Sequence, residues 1–227
     1  MSELVQNIER VATRLVLATV DEMYRNPFWD ARFGERGRTF AADDGRHHVS
    51  YLVQALIAKN SDLLANYARW LQSVLTCRGI CTRHLAENFQ RLSAAIAREG
   101  FAGGEEAVRY LGLAEAALEY AEGPPQELQR ASVRIAHAAA ASMHVEDGLY
   151  HLSYLADSLA LQRPDLFTTH CVWASAFREG RSGLPRGHLS QFLATVGALL
   201  TMDEALSNEL RTTAALTLEA GRRAIPA

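Results

Sequence analysis

Leu4, Ile8, Val11, Leu15 and Ala18 recur every three or four residues. That spacing puts them on one face of an α-helix and predicts an amphipathic helix over about 3–25. Asn26–Pro27 stops it, because proline lacks an N–H and disfavours a helical residue before it. Phe28 to Arg38, with Gly34 and Gly37, reads as a loop. Thr39 is the expected N-cap of a second helix running to about Ala58, with Asp43 and Asp44 opposing the positive end of its dipole. Ser61–Asp62 caps a third, which carries Leu63, Leu64, Tyr67, Trp70, Leu71 and Val74 to a stop at Gly79. Thr82 caps a fourth to about Arg98, after which Gly100, Gly103 and Gly104 break the chain. No segment alternates at the period of a strand, so the chain is predicted to be all-α.

The second half restates the first. Asp44–Gly45–Arg46–His47–His48–Val49–Ser50–Tyr51–Leu52 aligns with Asp147–Gly148–Leu149–Tyr150–His151–Leu152–Ser153–Tyr154–Leu155, 103 residues later. Seven of the thirteen positions in 44–56 are identical in 147–159, well above chance for unrelated amphipathic helices. The same offset pairs Thr39 with Ser142 as caps, Asp62 with Asp165 and Trp70 with Trp173. After one inserted residue, Gly79, His84 and Leu85 pair with Gly183, His188 and Leu189. Self-similarity at a fixed offset predicts an internally duplicated helical bundle. Two similar multi-helix units, 1–100 and 101–202, are expected to pack about a pseudo-two-fold axis into one compact body. Residues 203–227 add a C-terminal helix and tail, the helix begun at Asp203–Glu204 and ended by Gly221. Trp70 and Trp173, on apolar stripes, are expected in the core with Tyr51 and Tyr154.

Composition narrows the function classes. The 227 residues are 48% apolar with a formal net charge of −3, which suits a globular protein and argues against nucleic acid as a partner. No stretch approaches the ~20 uninterrupted apolar residues of a membrane span. Met1 to Asn7 lacks the basic and apolar regions of a signal peptide. Three cysteines are too few for a disulfide framework, and the expected location is a reducing cytoplasm. The positive charge is nearly all arginine, Lys59 being the only lysine, spread too evenly to mark a site.

The sharpest candidate chemistry is a repeated Asp-x3-His. Asp44 with His48, and Asp147 with His151, lie four apart on predicted helices, so each pair shares a face. Carboxylates and imidazoles are ligand types for a transition metal, and His144 could add a third donor in the second unit. The plainer reading is a carboxylate serving the helix dipole with its histidine in a local ion pair or buried hydrogen bond. A ferritin-like di-iron bundle would show Glu-x-x-His, which this sequence lacks. Cys77-x3-Cys81-x2-His84 has the wrong spacing and no fourth ligand for a zinc knuckle, and His84 and His188 read as caps. Trp29, Arg32 and Arg36, in the expected loop, could grip a planar anionic ligand, with Tyr51 and Tyr154 as further contacts. The plainer alternative is a long connection pinned by Phe28, Trp29 and Phe33.

No phosphate-binding glycine loop, zinc-protease motif or hydrolase nucleophile elbow occurs. The pattern therefore predicts a non-catalytic helical protein that binds a small-molecule ligand or a protein partner, a sensory or regulatory module with a pocket between its repeats. A metal-dependent, oxidase-like helical enzyme built on the paired Asp-x3-His motifs is the alternative, and a structural scaffold the third. Homo-oligomerisation is left open.

Overall fold

Ser2 accepts a hydrogen bond from the Val5 amide at 3.4 Å and so caps α1 (Glu3–Met23), whose buried face is Leu4, Val5, Ile8, Val11, Leu15, Val16, Val20 and Met23. The computed structural model describes residues 2–181 and 187–226, without the side chains of 178–181. Ten helices and no strand occur among the described residues. After α1 come α2 (Pro27–Ala58), α3 (Asp62–Thr76), α4 (Thr82–Glu99) and α5 (Gly104–Ala116). Then follow α6 (Gly123–Ala138), α7 (Val145–Ala160), α8 (Pro164–Arg181), α9 (His188–Met202) and α10 (Asn208–Ala224). None is long and apolar enough to cross a membrane.

The described chain divides into two compact units, Met1–Ser73 with His84–Leu118, and Val74–Arg83 with Glu119–Ala227. In the first, α2 packs chiefly on α1. In the second, α7 packs on α6 and α8, and α10 lies against α8 and α9. The turn between α3 and α4 belongs to the second unit.

Four local expectations are corrected. Phe28–Arg38 is helical and not a loop, because Asn26–Pro27 acts as a start signal. The Asn26 side chain accepts from the Phe28 amide at 3.0 Å, and proline occupies the first turn, where its missing N–H costs nothing. The break falls at Gly34 alone, whose φ of 57° and ψ of −161° only glycine adopts readily. Thr39 therefore lies inside α2, its hydroxyl donating to the Glu35 carbonyl, and caps nothing. Ser142 likewise donates to the Ala139 carbonyl, and His144 is the residue before α7.

The last helix also starts and ends elsewhere. Asp203 closes α9 and pairs with Arg134 at 2.5 Å, while Ser207 caps α10 by accepting from the Leu210 amide at 3.1 Å. Gly221 does not stop α10, which passes through it to Ala224. A Cβ there would come within 2.9 Å of both Cys171 Sγ and the Phe167 ring, so this glycine admits a close helix contact. Both neighbours are themselves buried and cannot swing away. Gly221→Ala should thus lower stability by about 1–3 kcal/mol of overpacking, more than the roughly 1 kcal/mol that alanine adds to a helix. Urea denaturation checks it, and a more stable variant would contradict the packing.

Candidate functional site

His48 points inward from α2 and is buried. Its Nδ1 shares a 2.8 Å hydrogen bond with the Tyr67 hydroxyl of α3, and its ring lies 5.2 Å from that of Phe89 on α4. Burial, then the neighbouring His47, pushes the imidazole pKa down to about 3, so the ring is neutral. Burial, then the charges of Asp44 and Tyr51, lifts the Tyr67 hydroxyl well above its ordinary value. Tyr51, three residues after His48, stacks on Tyr67 with centroids 3.9 Å apart and planes at 15°. Trp70 continues the series at 6.0 Å from Tyr67. The cluster thus runs from a buried imidazole to an open edge, where Trp70 is 57% exposed, Leu63 41% and Tyr51 37%. Leu63, Tyr67 and Trp70 share one face of α3 by their spacing. The expected burial of Trp70 and Tyr51 is overturned, since an apolar stripe does not say whether anything covers it.

The same contacts recur 103 residues later. His151 is buried, and its Nδ1 lies 2.8 Å from Nε2 of His170, the residue aligned with Tyr67. One of those nitrogens must carry the proton and the other accept it. Tyr154 stacks on His170 at 3.6 Å and 16°, Phe192 lies 5.6 Å from His151, and Trp173 lies 6.4 Å from His170. The ring angle of 33° between Tyr67 and Trp70 is also 33° between His170 and Trp173.

The two clusters differ in what covers them. In the second unit the α3–α4 turn lies on α7. The Tyr154 hydroxyl donates to the Gly79 carbonyl at 2.9 Å, and the Arg83 amide donates to Ser153 Oγ at 3.1 Å. The Arg83 guanidinium sits 5.2 Å over the Tyr150 ring. Asp157 is the anchor. Its Oδ2 accepts the Thr82 amide and its Oδ1 accepts both the Thr82 and Tyr120 hydroxyls, each at 2.7 Å. Burial raises this carboxyl to about 6, against the lowering effect of the Thr82 and Tyr120 hydrogen bonds. Tyr120 is raised in turn by its own burial and by the facing carboxylate. Sequence reasoning passed over Asp157, because its aligned residue is Gln54 and a capping partner 75 residues away leaves no local signature.

Each remaining candidate has surroundings of its own. Trp29 is 5% exposed and faces His84 edge-on at 4.8 Å, where it serves the core, and its Nε1 makes no hydrogen bond. Phe28 stacks on the buried His84 at 4.6 Å, so that residue, expected as a cap, has its ring in an aromatic cluster. Arg32 is half-buried, and Arg36 is exposed with its guanidinium 5.4 Å over Phe40. Asp44 and Asp147 are half-buried, and His144 is exposed at the start of α7. Among the described residues no group of three or more His, Cys, Asp or Glu is placed to hold a metal ion. Comparison with protein-family models, with curated proteins and with solved structures finds no match for this chain.

The buried groups set opposite pH dependences. Asp157, raised from 3.8 to about 6, contributes stability that is full below pH 3.8 and lost as pH rises through 6. His48, lowered from 6.5 to about 3, contributes stability present above pH 6.5 and lost as pH falls toward 3. Between pH 4 and 6 the two oppose each other. In urea titrations across this range Asp157→Asn should make stability climb more steeply with pH, and His48→Phe should flatten the climb. Parallel curves for both variants and the parent would contradict the assignment.

Proposed function

We propose that the chain is a non-catalytic, protein-binding helical module, in which residues 39–98 and 142–202 are two copies of one design and the first copy supplies the binding face. The observation that carries this reading is the exposed edge of the first aromatic cluster. Tyr51, Leu63 and Trp70 stand open together, on a base fixed by the Tyr67–His48 hydrogen bond. Single exposed apolar residues need no explanation, but a contiguous aromatic face marks a contact surface. Tryptophan and tyrosine are the residues that most often dominate such contacts. The recurrence of three ring contacts 103 residues apart supports the repeat. A reducing, cytoplasmic setting remains part of the proposal, resting on three cysteines, too few for a disulfide framework.

Two measurements test it. Trp70→Ala should cost less than about 1 kcal/mol of stability, against the roughly 3–5 kcal/mol of a buried tryptophan. A photo-reactive benzoylphenylalanine at Leu63, irradiated in cells, should give a discrete protein adduct that Trp70→Ala abolishes and that Leu216→Ala, at an exposed leucine of α10, leaves intact. Loss of several kcal/mol in Trp70→Ala, or an adduct pattern indifferent to it, would overturn the reading.

A further inference from the structure

We propose that Trp29, His84 and Asn88, all in the first unit, form the base of a binding site for a small, neutral ligand that carries a planar carboxamide. This goes beyond the protein-binding reading above, and the site shares no residue with the exposed edge of Tyr51, Leu63 and Trp70.

Two polar atoms here are buried and make no hydrogen bond: the Trp29 Nε1 donor on α2 and the Asn88 Oδ1 acceptor on α4. Their residues are only 5% and 6% exposed. A buried donor or acceptor left alone costs the full loss of its water, so each calls for a partner. Both border one buried imidazole. The Trp29 ring meets that of His84 edge-on at 4.8 Å, and Asn88 follows His84 by one turn on the same face of α4. A single small molecule that both accepts and donates would answer the two atoms together.

Flat rings surround the same imidazole. Phe28 stacks on His84 at 4.6 Å and 21°, and Phe33 stands edge-on to it at 6.3 Å. Tyr24 lies 6.1 Å from Trp29, and its hydroxyl donates to the Gly34 carbonyl at 3.2 Å, which pins the break in α2 just beyond Phe33. The base is dry and the rim is not. Trp29, His84 and Asn88 are buried, whereas Phe28 and Phe33 are half-buried and give a ligand its way in. Aromatic walls with a few placed polar groups are the ordinary make-up of a small-molecule site. The ligand class follows from the two atoms. An indole N–H takes an acceptor and an amide oxygen takes a donor, and a carboxamide offers C=O and N–H side by side in one plane. A carboxylate could satisfy Trp29 but has no hydrogen for Asn88, and its charge would meet no opposite charge at either atom. A ring bearing the amide would stack on the Phe28 side.

Titration of the full, isotope-labelled chain with benzamide, followed by NMR at its three indole N–H signals, tests the proposal. Trp29→Phe identifies the Trp29 signal by removing it. That signal should move saturably at millimolar benzamide, while those of Trp70 and Trp173 stay in place. Benzoate and N,N-dimethylbenzamide, which have no N–H to offer Asn88, should bind about tenfold more weakly or worse. Asn88→Leu, close in volume and shown to be folded by its unmoved Trp70 and Trp173 signals, should weaken benzamide by a similar factor. On the unaltered chain, a Trp29 signal that ignores benzamide, an equal response to all three compounds, or a shift at Trp70 in its place would each overturn the proposal. Undiminished binding by folded Asn88→Leu would do so too. A Trp29 N–H in contact with a long-lived water and indifferent to benzamide would give the site to that water, which also overturns it. The Leu63 adduct judges the protein-binding reading separately, whichever of these results is found.

Discussion

A carboxylate taken out of water costs several kcal/mol unless donors answer it. At Asp157 the donors are the Thr82 amide, the Thr82 hydroxyl and the Tyr120 hydroxyl. That demand ties together three stretches distant in sequence: the start of α4, the segment after α5 and the middle of α7. The amide is the telling partner, because the first N–H groups of a helix have no acceptor within it. A buried negative charge and an unsatisfied helix start each resolve the other's cost. The α3–α4 turn therefore counts with the second unit and not with the helices on either side of it in the first.

The state of the two aromatic clusters follows from that tie. Both are built alike, with a buried histidine hydrogen-bonded to a residue 19 positions on and a tyrosine stacked over that partner. In the second unit the turn held by Asp157 lies across the cluster and buries Tyr154. The first unit has Gln54 in place of the carboxylate and leaves Tyr51 and Trp70 in water. The raised pKa of Asp157 reports its burial beneath the turn. The filled face thus carries the buried Asp157 at the position where the open face carries the exposed Gln54.

Much of the fold was legible because helical period and caps are local. The apolar spacing from Leu4 to Leu15, the start at Ser61–Asp62 and the glycine turn at Gly79 coincide with α1 and α3 in the structure. Phe28–Arg38 was misread because proline and glycine weigh against helix in isolation, while Trp29 and its neighbours stabilise the helix by packing on His84. Trp70 was misread because periodicity reports that a stripe is apolar and not what lies upon it. The two histidines were legible as candidates, since the Asp-x3-His repeat is visible in sequence. Their partners Tyr67 and His170 were not, because a hydrogen bond between neighbouring helices leaves no spacing signal of its own. Asp157 was the least visible, with donors 75 and 37 residues away.

Amide hydrogen exchange at Thr82 and Arg83 bears most directly on the idea that a buried carboxylate holds the α3–α4 turn across α7. First-turn amides of a helix ordinarily exchange freely, having no acceptor within the helix. With Asp157 and Ser153 accepting from them, both should be protected in the intact protein, and Asp157→Ala should release the Thr82 amide while the centre of α4 stays protected. Free exchange at Thr82 and Arg83 in the unaltered chain would contradict the account, since the turn would then not be held and the covered face would be open like its counterpart.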